Sequence, residues 1–174
     1  MGCGGNSKHC YPGALGTVNV DILKPNVEIG NFVQADGHRL PFKDRTFDKV
    51  VSHEVIEHVE NPTRLVGEMH RVLKCGGKLE VSTPNPTQWR SLLRLLFHRK
   101  VTVFKDHITC WTRPELENLF RKVGFSHVKA SYIVFKDRQR FESWKHRHVD
   151  KVVHMLSLTK SLTGSSIVME GTKT

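Results

Sequence analysis

Met1-Gly2-Cys3-Gly4-Gly5-Asn6 and, a short connection later, Val18-Asn19-Val20-Asp21 form the stretch whose reading decides the fold. Gly2, Gly4 and Gly5 lack a Cβ, so the backbone there can turn sharply and let a ligand come close. The apolar alternation that follows ends in a carboxylate, Asp21. A glycine-rich turn with an acid about twenty residues on is a nucleotide-binding pair: the turn faces the ligand and the acid accepts from ribose hydroxyls.

Outward from this stretch, strands and helices alternate. Asn31 to Asp36 reads as a second strand ending in an acid, with Gly37 directly behind it. Phe47 to Val51 is a third strand, and Ser52 to Val59 reads as a short helix with Val55, Ile56 and Val59 on one side. Asn61-Pro62 suits a helix start, since asparagine caps and proline fits the first turn. Leu65, Val66, Met69, Val72 and Leu73 then repeat at helical spacing, and Cys75-Gly76-Gly77 is the expected stop. Lys78 to Thr83 is a fourth strand closed by Pro84-Asn85-Pro86. Thr87 to His98 follows as a helix, and Thr112-Arg113-Pro114-Glu115 has the spacing of a capping box for the next, which Gly124 ends. Phe125 to Phe135 is a strand, Phe141 to Leu158 a basic amphipathic helix, and Ser165 to Gly171 a last strand. Such alternation predicts an open α/β sheet with helices on both faces, in one domain spanning residues 1–174.

Composition narrows the class without naming a chemistry. Hydrophobic residues at 38% and charged residues at 25% describe a globular protein, and the most apolar run, Leu92 to Phe97, is brief and interrupted by Arg94. With no basic-then-apolar leader at the N-terminus, the expected compartment is the cytoplasm. Cys3, Cys10, Cys75 and Cys110 have no CxxC spacing, which fits free thiols rather than a zinc ribbon or redox pair. A net charge of +10 would draw the protein towards an anionic membrane surface or nucleic acid. Arg90, Arg94, Arg99 and Lys100, with Lys136, Arg138, Arg140, Lys145, Arg147 and Lys151, carry much of that excess.

Taken together, Gly2-Cys3-Gly4-Gly5-Asn6, Val18 to Asp21, Ala35-Asp36-Gly37 with Leu40-Pro41-Phe42, Phe47 to His58 with Asn61-Pro62, and Glu68 to Gly77 form an ordered series. That series resembles the successive motifs of class I S-adenosylmethionine-dependent methyltransferases, most closely the methyltransferase type 11 group. The resemblance runs from Gly2 to about Asn85 and resumes more loosely from His107 to Phe125. It implies a Rossmann-like sheet, mostly parallel with an antiparallel C-terminal strand. Family members carry a hydrophobic strand ahead of the glycine turn, so the sheet expected here lacks the usual first strand.

The resemblance also implies roles. Gly2, Cys3 and Gly4 would approach the methionine part of S-adenosyl-L-methionine, Asp21 with Ile22 would hold the ribose, and Asp36 with Gly37 would lie at the adenine. His53 would face the sulfonium methyl and is the candidate base, although a structural histidine fits the same position. Asn85, His107 and Trp111 are the candidates for the acceptor side. The implied reaction moves a methyl group to an oxygen, nitrogen or carbon nucleophile of a small-molecule or lipid-like acceptor. The competing reading is a non-catalytic methyltransferase-like protein that binds an anionic partner.

Other motifs fit less well. His53-Glu54-Val55-Ile56-Glu57-His58 differs from the zinc motif HExxH, because its second histidine lies five residues on, about 140° further round a helix. Glu54 and His58 would share a helical face and pair, and no metal ligands are expected. The third glycine of a nicotinamide dinucleotide fingerprint would fall at Ser7, and no Gly-Lys-Ser/Thr follows to make a phosphate loop.

Overall fold

The computed structural model describes residues 17–25, 28, 30–89, 91, 96, 106–133, 161 and 164–174. Two parallel strands come first: β1 (Asn19–Asp21) beside β2 (Phe32–Gln34), with Val20 opposite Val33. A four-stranded sheet follows, built from β3 (Phe47–His53), β4 (Leu73–Pro84), β5 (Phe125–Ile133) and β6 (Ser166–Lys173) in the order β3-β4-β6-β5. β3 and β4 are parallel, whereas β6 runs antiparallel to both its neighbours. The α/β architecture, mostly parallel up to an antiparallel last strand, is the expected one.

Two helices, α1 (Pro62–Val72) and α2 (Arg113–Val123), pack against the larger sheet through one core. Leu65, Val66 and Met69 of α1 and Leu116, Leu119 and Phe120 of α2 meet Leu79 and Val81 of β4 and Ile167 and Met169 of β6. Each such side chain, taken fully from water, contributes roughly 1.5–3 kcal/mol. A second cluster, Val20, Leu40 and Val72 with Phe42, Phe47 and Val50 around it, joins the small sheet to the larger one. The expected helices over Thr87 to His98 and Phe141 to Leu158 fall largely or wholly outside the described residues, as do all ten basic residues singled out above. Among the described residues no helix is long and apolar enough to cross a membrane, and Cys75 and Cys110 are free thiols.

The helix ends follow local chemistry. Asn61 Oδ1 accepts from the Arg64 amide at 3.0 Å and Pro62 opens α1. Glu115 reaches back to the Thr112 amide at 2.7 Å, and Gly124 closes α2 in the left-handed region at φ 109°. The C-terminus of α1 differs from the expectation. Its helix stops at Val72, and Leu73 turns directly into β4 without a glycine cap. Gly76, at φ 78°, and Gly77 instead occupy the irregularity where four residues of β4 loop out opposite β3. Lys173 takes over the cap: its buried Nζ donates to the carbonyls of His70 (2.7 Å), Leu73 (2.8 Å) and Arg71 (3.3 Å).

The short helix expected over Ser52 to Val59 is replaced by strand and turn. Ser52 and His53 continue the ladder opposite Val81 and Ser82, Glu54 turns the chain at φ 51°, and only Ile56–His58 forms a 3₁₀ turn. A segment this short cannot offset the entropy of nucleating an α-helix, whereas each strand residue gains a partner at once.

Candidate cofactor and acceptor site

The carboxyl ends of β1 and β2 present two acids. Asp21 ends β1 with 9% of its surface exposed, and its Oδ1 accepts from the Leu23 amide at 2.8 Å. The two residues that follow, Ile22 and Leu23, expose 62% and 63% of their surface. A buried carboxylate beside two exposed aliphatic side chains suits a ligand with a polar diol next to an apolar ring. Asp36, just past β2, accepts from the amide of His38 at 2.8 Å and lies 2.8 Å from its Nδ1. Those bonds, the amide first, hold its carboxyl below the ordinary value.

Behind Asp36, the Leu40-Pro41-Phe42 segment is braced by α1. Glu68 Oε2 accepts from the Leu40 amide, and Arg71 donates to the carbonyls of Leu40 and Phe42. Arg71 also grips both carboxylate oxygens of Glu68, at 2.9 Å each. These contacts press the loop against the helix that carries both residues. Gly2, Cys3 and Gly4 lie outside the described residues.

The carboxyl ends of β3 and β4 hold the candidate base. His53 Nδ1 lies 3.1 Å from Ser82 Oγ, and that hydroxyl donates to Glu54 Oε1 at 2.9 Å. With its single hydrogen directed at Glu54, Ser82 accepts from His53, which places the proton of a neutral ring on Nδ1 and the lone pair on Nε2. Nε2 faces Glu80 Oε1 at 3.8 Å, beyond hydrogen-bond length. Glu54 therefore holds Ser82 instead of pairing with His58.

The acceptor-side candidates separate. Asn85 is buried, and its amide is fully engaged: Nδ2 donates to the carbonyls of Ser161 and Gly164, while Oδ1 accepts from the amide and hydroxyl of Thr87. It ties the end of β4 to the segment leading into β6, so its role is bracing rather than substrate contact. His107 and Trp111 share the segment entering α2, and Trp111 packs on the main core with its Nε1 buried and unpartnered. The amides of Ile108 and Thr109 donate to the Glu57 carbonyl and hold this segment against the 3₁₀ turn.

Glu57, which the sequence did not single out, is a strongly perturbed carboxyl. Its side chain is 2% exposed, and burial pushes its pKa up to about 7. A cavity of about 230 Å³ lies elsewhere, towards the amino-terminal halves of β3 and β4, lined by Lys49, Lys78, Glu80 and Lys129 among others.

Residues 1–81 match a family described as "Methyltransferase domain" (Methyltransf_11). Over these residues the chain is similar to S-adenosylmethionine-dependent methyltransferases. It is 46% identical over 124 residues to a probable S-adenosylmethionine-dependent methyltransferase of Mycobacterium tuberculosis, covering 70% of this chain and 41% of that one. It is 26% identical over 166 residues to the mitochondrial ubiquinone biosynthesis O-methyltransferase of Rattus norvegicus, covering 83% of this chain and 48% of that one. A solved S-adenosylmethionine-dependent methyltransferase of Archaeoglobus fulgidus shares the fold, with a TM-score of 0.62 at 19% identity over 90% of this chain and 75% of that one. The chain thus spans about half the length of the curated relatives it matches. The family's cofactor is S-adenosyl-L-methionine.

Proposed function

We propose that this methyltransferase binds S-adenosyl-L-methionine across the carboxyl ends of its strands and methylates a small, largely apolar acceptor bearing an acidic hydroxyl. The observation that carries the reading is Asp21: a nearly buried carboxylate at the end of a parallel strand, flanked by exposed Ile22 and Leu23. There it would accept from both ribose hydroxyls while the aliphatic side chains cover one face of the adenine. Asp36 and Gly37 would lie at the adenine edge. The cofactor, when bound, supplies an electrophilic methyl on a sulfonium; the protein aligns the acceptor and excludes water.

His53, held by Ser82 at the carboxyl end of β3, would be the base that takes the acceptor's proton. The half-buried Trp111 and the 60% exposed Ile108 supply apolar surface on the segment that carries His107. The name of the rat relative, an O-methyltransferase of ubiquinone biosynthesis, supports an acceptor of this kind.

Calorimetric titration with S-adenosyl-L-methionine and its demethylated product tests the reading. Binding of both is expected, and Asp21→Ala should weaken it at least tenfold, about 1.4 kcal/mol, as a lost hydrogen bond to a charged acceptor requires. No binding by the folded chain would overturn the proposal, and unchanged affinity in the variant would move the ribose site elsewhere.

A further inference from the structure

The geometry points to a divalent transition-metal site formed by Glu57, His58 and His107. The three side chains each offer one ligand atom, and those atoms lie within 4.8 Å of one another. They come from two segments clamped together, the 3₁₀ turn and the 106–109 segment, through the amide bonds to the Glu57 carbonyl.

Three details favour an ion over an ordinary polar contact. His58 Nδ1 lies 2.9 Å from the Asp106 carbonyl, which can only accept. The ring proton is therefore on Nδ1, leaving Nε2 with the lone pair a metal needs; histidine ligands are commonly oriented this way by a backbone carbonyl. That Nε2 lies 4.0 Å from Glu57 Oε1, too far for a hydrogen bond. Two ligands sharing a tetrahedral ion at ~2.0–2.1 Å lie roughly 3.3 Å apart, so seating one asks the Glu57–His58 pair to close by about 0.7 Å and the widest pair by up to about 1.5 Å. Lastly, Glu57 Oε1 is buried and has no hydrogen-bond partner, while Oε2 accepts from Thr83 Oγ1 at 3.1 Å. A carboxylate held by a hydroxyl on one oxygen and bare on the other is half of a ligand arrangement.

The His58 and His107 rings meet edge to face with centroids 4.7 Å apart. Two imidazoles and one carboxylate suit zinc, iron or cobalt rather than magnesium or calcium, which prefer oxygen alone. The His58 side chain is 41% exposed, so the site opens to solvent and leaves room for further ligands. The inference rests on these side chains and not on methyl transfer.

The test uses the full chain, stripped with a chelator and dialysed, without S-adenosyl-L-methionine. Zinc is titrated against a chromophoric competitor, and cobalt binding is followed by visible absorption. One equivalent of zinc with micromolar or tighter affinity is expected. Glu57→Gln and His107→Gln should each weaken it at least tenfold, with folding checked by circular dichroism, while His38→Gln should not. Cobalt should give d–d bands without a thiolate charge-transfer band. No tight equivalent, one that survives in either site variant, one equally lost in His38→Gln, or a thiolate band would each overturn the proposal.

Discussion

Glu57→Gln should change how stability depends on pH, and the structure sets both sign and size. Glu57 titrates near 4.5 in the unfolded chain and near 7 in the folded one, chiefly because burial disfavours its charge. Between these values the native state holds a proton that the unfolded state has lost. Stability from this group is therefore complete below pH 4.5, falls as pH rises and levels off above about 7. A gap of about 2.5 at ~1.36 kcal/mol per unit sets the loss on the order of 3 kcal/mol. Glutamine keeps the shape and the acceptor for Thr83 but carries no charge, so the variant should gain on the wild type by that amount between pH 4.5 and 8.

His70 and His107 contribute with the opposite sign. Their folded pKa values are lowered by burial first, so they lose stability as pH falls below 6.5. The difference between variant and wild type removes that background. Urea unfolding at half-unit steps from pH 4.5 to 8, with a chelator present to exclude metal binding, would measure it. Parallel pH profiles for the two proteins would refute the assignment of this proton to Glu57.

Other substitutions probe packing. Lys173→Met should cost about 2–3 kcal/mol, because three carbonyls at the end of α1 lose a charged donor; urea unfolding at pH 7 reads this directly. Gly171→Ala should cost roughly 1–3 kcal/mol in the same assay, since an added Cβ would sit 2.8 Å from Phe120 Cδ1 and 3.0 Å from Phe125 Cβ. A Gly171→Ala chain as stable as wild type would show that the two rings can move apart.

The fold was legible where sequence pattern and packing agree. Leu65, Val66, Met69 and Val72 repeat at helical spacing because α1 buries a single face, and all four are buried. Asn61-Pro62 and Gly124 marked helix ends whose chemistry is local. Ser52 to Val59 misled because its valines and isoleucine suit a short helix as well as a strand end, and the ladder to β4 decided the outcome. Gly76-Gly77 misled for a related reason: glycine tolerates a bulge as readily as a cap. Lys173 gave no signal, because its three acceptors lie about 100 residues away in sequence.

The candidate site divides the same way. Asp21 and Asp36 stand out because an acid at a strand's end is visible in one dimension. Glu57 does not, since nothing in Ile56-Glu57-His58 tells which residue turns inward; only Thr83 and the 106–109 segment, both distant in sequence, decide that. Asn85 was an acceptor-side candidate, yet its partners Ser161 and Gly164 are invisible without the fold.

The placement of β6 between β4 and β5 bears on how the molecule assembles. β4 has one parallel neighbour from its own half of the chain, but its other edge pairs with residues 166–172. As the polypeptide leaves the ribosome, that edge stays open until residues 166–172 arrive to pair with it. Closure of the principal core is thus a late event with a large loop to gather, which slows folding and lengthens the interval in which an uncovered strand can meet another chain.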